Sequence, residues 1–203
     1  VSINNEHGIA TLNMMKALTE HSNPDFLTFN SDATAALWEA GDLALATMWG
    51  SRAGPILDGE GSTEAITSST VVASAPSFAG GSRPSSTLWW DGFAIASNVS
   101  DMDAEASFIA MMNGISSEMV KANNDLTVWL IDGYKAGPTA VGVSETAANG
   151  AAPYPMLPFM GTLHGAAGAE LTDFLQGNES AEQALSDIEA AYTAAAIEKG
   201  FLN

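Results

Sequence analysis

The chain has 203 residues, 46% of them hydrophobic, which is enough apolar material for one sizeable core or two small lobes. Its charge is one-sided, with 24 acidic against 6 basic residues and a formal net charge of −18, and the basic residues Lys16, Arg52, Arg83, Lys121, Lys135 and Lys199 are scattered. Such a surface repels nucleic-acid phosphates and anionic membranes, and the lack of cysteine removes disulfides, thiolate metal sites and cysteine nucleophiles.

Apolar residues at Ile9, Leu12, Met15 and Leu18 recur at helical spacing and predict an amphipathic helix over 7–20. Asn23-Pro24 breaks the chain. A second helix is expected to start at Ser31 or Asp32, both good N-caps, and to stop at Gly41. Leu43–Trp49 is apolar on both faces and reads as a buried strand. Residues 50–57 open a further helix. Thr70–Ala75, rich in β-branched residues, and Thr87–Ser97 read as strands separated by the loop composition of 76–86. Ser100-Asp101 caps a helix whose buried stripe would be Ala104, Phe108, Met111 and Ile115. The methionine pairs at 14–15 and 111–112 read as core filler. Residues 133–165 are rich in Gly, Ala and Pro and carry no usable periodicity. Ser180-Ala181-Glu182-Gln183 has the form of a capping box, and Leu185, Ile188 and Tyr192 mark the apolar face of a final helix ending at Gly200. The pattern is α/β with more helix than strand.

No apolar run approaches the roughly 20 residues that cross a bilayer. The sequence opens Val1-Ser2-Ile3 with neither an initiator Met nor a basic-then-apolar leader, so a trimmed or truncated chain is expected.

Catalytic signatures are missing. Gly50-Ser51-Arg52-Ala53-Gly54 lacks the central serine of a nucleophile elbow, and no phosphate loop or dinucleotide fingerprint occurs. His7, His21 and His164 are far apart without ligand spacing, and no carboxylate pair is singled out. A non-enzymatic chain needing no cofactor or metal is expected. What stands out is the aromatic inventory of five Trp, three Tyr and eight Phe. Trp49, Trp89 and Trp90 fall at expected strand ends, where α/β folds bind ligands. Trp38 and Trp129, inside apolar patterns read as helical, are expected in the core.

The order of elements resembles a known family. FNSDATAALWEAGDLALATMWGS (29–51) is similar to the helix–glycine–strand segment of extracellular solute-binding proteins of ABC importers, the broad family of the maltose-binding protein. FAGGSRPSSTLWWDGFAIASNVSDMDAEASFIAMM (78–112) looks like that family's next signature, a Pro/Gly loop, a ligand-facing strand and a helix, and a terminal helix after the turn at 177–180 fits as well. The resemblance implies a helix-rich α/β fold of periplasmic-binding-protein type, with solute held between two lobes. Residues 1–85 and 138–203 would belong to the second lobe and 86–137 to a return excursion into the first. The first lobe itself has no counterpart here, so a domain or remnant of a longer protein is implied.

By the same resemblance Trp49, Trp89, Trp90, Asp91 and Arg52 are the candidate ligand-binding residues. Many relatives read Leu-Gly-Gly-Trp-Gly where this chain reads Leu88-Trp89-Trp90-Asp91-Gly92, so the ligand-facing Trp of the family aligns with Asp91. The implied function is capture of a sugar or polyhydroxylated solute for a membrane permease, in the periplasm or, lipid-anchored, outside a Gram-positive cell. Asp91 and the acidic balance also suit a polyamine or other cationic solute. A secreted carbohydrate-active enzyme would likewise want aromatics, but with two carboxylates fixed across a cleft.

Overall fold

Small polar caps set most of the regular structure. In the computed structural model, which describes residues 1–203, about 55% of the chain is helical and two short parallel strands are the only sheet. The chain falls into two units, Val1–Phe29 with Pro155–Asn203, and Asn30–Tyr154. No helix is long and apolar enough to cross a membrane.

The first unit is built from α1 (Glu6–Thr19), α8 (Pro158–Gln176) and α9 (Ala181–Glu198). Asn5 caps α1 by accepting from the N–H groups of His7 and Gly8, which would otherwise be orphaned at the helix start. α8 and α9 form a helical hairpin across the four residues 177–180. Gly177 ends α8 with φ +86°, a left-handed conformation that costs glycine little. Leu12, Phe174, Ala181, Ala184 and Leu185 make one core cluster, with Ile3, Ile9, Met15, Leu171 and Leu175 packed on it. The expected face of α9 is buried, with Leu185, Ile188 and Tyr192 between 2 and 5% exposed.

Polar contacts close this unit around its apolar centre. Lys16 donates through Nζ to the Leu175 carbonyl in the last turn of α8, a favourable place for a cation. Lys199 Nζ donates to the buried Thr162 Oγ1 at 3.2 Å. Glu189 Oε1 accepts from the N–H groups of Asn4 at 2.8 Å and Ile3 at 2.6 Å, and these bonds hold its carboxyl below the usual range. Half of the capping box forms. Ser180 Oγ accepts from the Gln183 N–H at 3.2 Å, but the Gln183 amide turns forward to Asp187 at 2.9 Å instead of back to the cap.

The second unit contains α2 (Ser31–Ala40), α3 (Ala53–Leu57), α4 (Glu64–Ser69), β1 (Thr87–Leu88), α5 (Asp101–Gly114), α6 (Ser117–Ala122), α7 (Val141–Ala148) and β2 (Ala152–Pro153). Asn30, rather than Ser31 or Asp32, is the cap of α2, accepting from the N–H groups of Asp32 and Ala33. Gly41 stops it at φ +81°. Thr63, Ser100 and Ser116 cap α4, α5 and α6 in the same way. β1 and β2 pair in parallel, Thr87 with Ala152 and Leu88 with Pro153, and the Tyr154 N–H reaches the Leu88 carbonyl at 2.8 Å. Pro153 has no N–H to give, which keeps the ladder short.

Several expectations are corrected here. Leu43–Trp49 and Thr70–Ala75 form no ladder, and Leu45 and Val71 are 90 and 85% exposed. Strand propensity is largely a fitness for a packed sheet surface, and these segments find no sheet to join. The strand expected over 87–97 is confined to its first two residues. The stripe on α5 is not buried: no residue of this helix is, and Phe108 is 56% exposed. Met14 and Met112 are exposed as well, and of the two methionine pairs only Met15 packs against a core cluster. Trp38 is half-buried with its Nε1 donating to Thr70 Oγ1 at 3.1 Å. Trp129 is half-buried too, but lies outside any helix and donates to the Asn123 carbonyl at 3.1 Å.

Candidate functional site

The site is best built from the strand pair outward. β1 and β2 run parallel, so their carboxyl ends lie side by side, and each is followed at once by an aromatic residue, Trp89 and Tyr154. The two rings stack with centroids 3.7 Å apart and planes at 26°. The Trp89 indole is oriented by a bond from its Nε1 to Thr87 Oγ1 at 3.0 Å. Such a pair contributes about 0.5–1.5 kcal/mol beyond the area it buries.

Trp49 completes the cluster. Its ring meets that of Trp89 edge to face, centroids 5.5 Å apart and planes at 83°. It stands immediately before a 3₁₀ turn, Gly50–Arg52, which leads into α3. Gly50 is required there: a Cβ would fall 1.8 Å from Val143 Cγ2 on α7, so only glycine lets the turn approach that helix. Arg52 braces the same turn from the other side. Its guanidinium contacts Asp32 Oδ1 at 2.7 Å and donates to Ser31 Oγ at 3.2 Å, both in the first turn of α2. Arg52 is thus engaged in holding the turn to α2.

The cluster is half open to solvent, with Trp49 52% and Trp89 40% exposed and Tyr154 half-buried. Two indoles and a phenol at right and shallow angles offer apolar faces of different orientation, flanked by the hydroxyls of Thr87 and Tyr154. Trp90, 43% exposed, makes no ring contact with the cluster. Successive side chains of an extended segment point to opposite sides, so Trp89 and Trp90 cannot both join it. Asp91 is exposed two residues beyond Trp89. Of the five candidates, then, Trp49 and Trp89 are brought together, Arg52 supports the turn that carries Trp49, and Trp90 and Asp91 stand outside the ring contacts.

Tyr154 was not among the candidates. Its local signal is the sequence Pro153-Tyr154-Pro155, an aromatic residue held extended between two prolines in the stretch without periodicity. Its importance depends on pairing with a strand 65 residues earlier, which no local pattern reveals. No three His, Asp or Glu side chains converge in a way that could hold a metal ion. A separate open groove of about 350 Å³ runs along α5 and is lined by none of these residues. No family model matches the chain, and neither does any curated protein sequence.

Proposed function

We propose that this chain is part of the solute-binding component of an ABC importer, taking a sugar or another polyhydroxylated solute and passing it to a membrane permease. The observation that carries the reading is the half-exposed Trp49–Trp89–Tyr154 cluster at the carboxyl ends of a parallel strand pair. Aromatic faces cover the C–H surface of a sugar, and ligands of α/β folds gather at such strand ends. The motif order over 29–51, 78–112 and 177–200 supports the same family, whose fold is the periplasmic-binding type. In this reading residues 86–137 are the excursion into a first lobe and the cluster is one wall of an interlobe site. The protein then works in the periplasm, or lipid-anchored outside a Gram-positive cell, and binds without chemical turnover.

The test is thermal. A ligand that binds only the folded state stabilises it by mass action, by about 2.7 kcal/mol at a concentration of 100 Kd. A panel of neutral mono- and oligosaccharides should raise the melting temperature of the intact protein. Trp49→Ala and Trp89→Ala should abolish that rise, while the lost ring contacts lower the unliganded melt by several degrees without unfolding the chain. A panel without any hit, or hits that survive both substitutions, would sink the reading.

One observation favours a second reading, a polyamine or other cationic solute: Asp91 stands exposed close to Trp89 in a chain of net charge −18. Asp91→Asn separates the two. A neutral sugar would lose at most a charge-assisted hydrogen bond, whereas a polyamine would lose its counter-charge and fall away more steeply at low salt than at high.

A further inference from the structure

The three rings of the aromatic cluster come from three separate stretches of chain, and one element stands behind all of them. α7 (Val141–Ala148) presents Val143 to the 3₁₀ turn that follows Trp49, the close approach that requires Gly50. About a turn further on, Thr146 is buried, only 6% exposed. Its Oγ1 donates to the Gly142 carbonyl at 2.6 Å and accepts from the Ala75 N–H at 2.9 Å. The backbone of α7 lies against the same segment, since a Cβ on Gly142 would fall 2.7 Å from the Ala73 carbonyl oxygen. At the carboxyl end of the helix the Thr146 carbonyl accepts from the Ala151 N–H at 3.2 Å, which directs the buried Ala151 into β2 and so to Tyr154.

The same contacts reach Trp89 by a short route. The loop over 76–86 closes at its base, where the Ser85 N–H donates to the Pro76 carbonyl at 2.8 Å and Ser77 bridges to Pro84. Holding Ala75 therefore holds the start of β1, and with it Trp89. Thr70–Ala75 has no strand beside it, so the half-buried Ala75 N–H needs a partner outside a ladder, and Thr146 supplies it. Both side chains suit the task. Val and Thr are branched at Cβ and stiff at χ1, and Thr146 is held further by its bond to the carbonyl four residues back.

We infer that α7 sets the geometry of the aromatic cluster, with Thr146 and Val143 as positioning residues that keep Trp49, Trp89 and Tyr154 in place before any solute arrives. The purpose rests on the reading of the cluster as a solute site; the geometry does not. Rings that are already set spare the solute the cost of ordering them, which would otherwise be subtracted from its binding free energy. The two residues act through the backbone they hold, at the roots of the rings.

The test reads the rings directly, with no sugar present. Each of the five tryptophans gives one indole N–H peak in a nitrogen–proton correlation spectrum of the whole chain, and Trp49→Phe, Trp89→Phe and Trp129→Phe assign the three that matter. Ring currents change steeply with orientation, so the edge-to-face and stacked contacts fix where the Trp49 and Trp89 peaks fall. Thr146→Val keeps the shape of the side chain but leaves the Ala75 N–H without its acceptor, and should shift the Trp89 peak most. Val143→Ala opens space behind Gly50 and should shift the Trp49 peak most. Trp129, bonded to the Asn123 carbonyl, should stay at its parent position in both. Thr146→Ser restores the acceptor and should bring the Trp89 peak back. Ser180→Ala lowers stability in the other unit and should move none of the three. Thr146→Val and Val143→Ala spectra with the Trp49 and Trp89 peaks unmoved would overturn the inference. So would a Trp129 peak that moves as far as theirs, because the unit as a whole would then have loosened. The spectra are decided independently of the sugar panel, so failure of one is distinguishable from failure of the other.

Discussion

The two units spend their apolar residues differently. The smaller one, residues 1–29 with 155–203, holds eight of the twelve buried apolar residues of the chain, from Leu12 to Ala196. The larger one, residues 30–154, holds Ile56, Val120, Ala140 and Ala151, yet exposes Leu45, Val71, Phe93, Met102 and Phe108 to at least half of their possible extent. Composition does not distinguish them. Geometry does: long helices with short connections present whole apolar faces to one another, whereas short helices and unpaired extended segments leave each face only partly covered. A unit of the first kind is held by its interior. One of the second kind leaves much of its apolar surface open.

The comparison can be broken most directly at Ile188, 2% exposed in α9. Ile188→Ala should cost about 2–5 kcal/mol, as large-to-small changes in closed cores do. Chemical denaturation followed by circular dichroism measures it, and Val71→Ala, at an 85% exposed position, should change stability by less than about 0.5 kcal/mol. A similar cost at both positions would erase the contrast. Next in size is Gly50→Ala, which drives a methyl group into the stiff Val143 side chain. The expected cost is about 1–3 kcal/mol. It should also disturb the edge-to-face contact of Trp49 with Trp89, read as a change in tryptophan emission. An unchanged emission with unchanged stability would mean that the turn does not depend on that close approach.

Ser180→Ala sharpens the comparison from within the packed unit. It removes the acceptor of the Gln183 N–H and should cost about 1 kcal/mol. Ser180→Gly should cost less, since glycine also serves as a cap. The smallest effect is tied to pH. Glu189 is stabilised as the carboxylate by the Asn4 and Ile3 N–H groups, so its folded pKa is depressed. Its contribution is fully present above the ordinary carboxylate pKa and is lost as pH falls through the lowered value. Glu189→Gln should therefore lower the melting temperature slightly at neutral pH and not at the acid end of that window. An equal deficit at both would show that the carboxylate's charge is not what secures residues 3 and 4.

Much of the helical part was legible because caps and periodicity are local. The helices that end at Gly41, Gly114 and Glu198 can each be read from a handful of adjacent residues, although the cap of α2 is Asn30 and not the expected Ser31 or Asp32, and the expected apolar face of α9 is the one that is buried. The longest helix, α8, was hidden. Gly161, Gly165 and Gly168 lie inside it and dilute the apolar repeat, although Pro158 at its start and Gly177 at its end are standard boundary marks. Strands failed for another reason. Whether Leu43–Trp49 becomes a strand depends on a partner elsewhere, and nothing in its own alternation specifies one. The cluster was half legible on the same principle: Trp49 and Trp89 could be picked as aromatics at expected strand ends, though only Trp89 follows a strand, and Tyr154 and the choice of Trp89 over Trp90 follow from register.

The better-packed unit is also discontinuous in sequence, and that has a consequence for how it is made. Leu12 on α1 belongs to one cluster with Phe174 and Leu185, and residues 3 and 4 are held by Glu189. During synthesis α1 emerges first but cannot reach its neighbours until some 150 residues later, so its exposed stripe must wait through the translation of everything between. The better-buried unit is therefore completed only after residues 30–154 have been made, and the entropic cost of closing so long a loop falls on its formation. A ribosome that stalls before residue 180 leaves α1 without the helix it needs, however well its own sequence favours a helical turn.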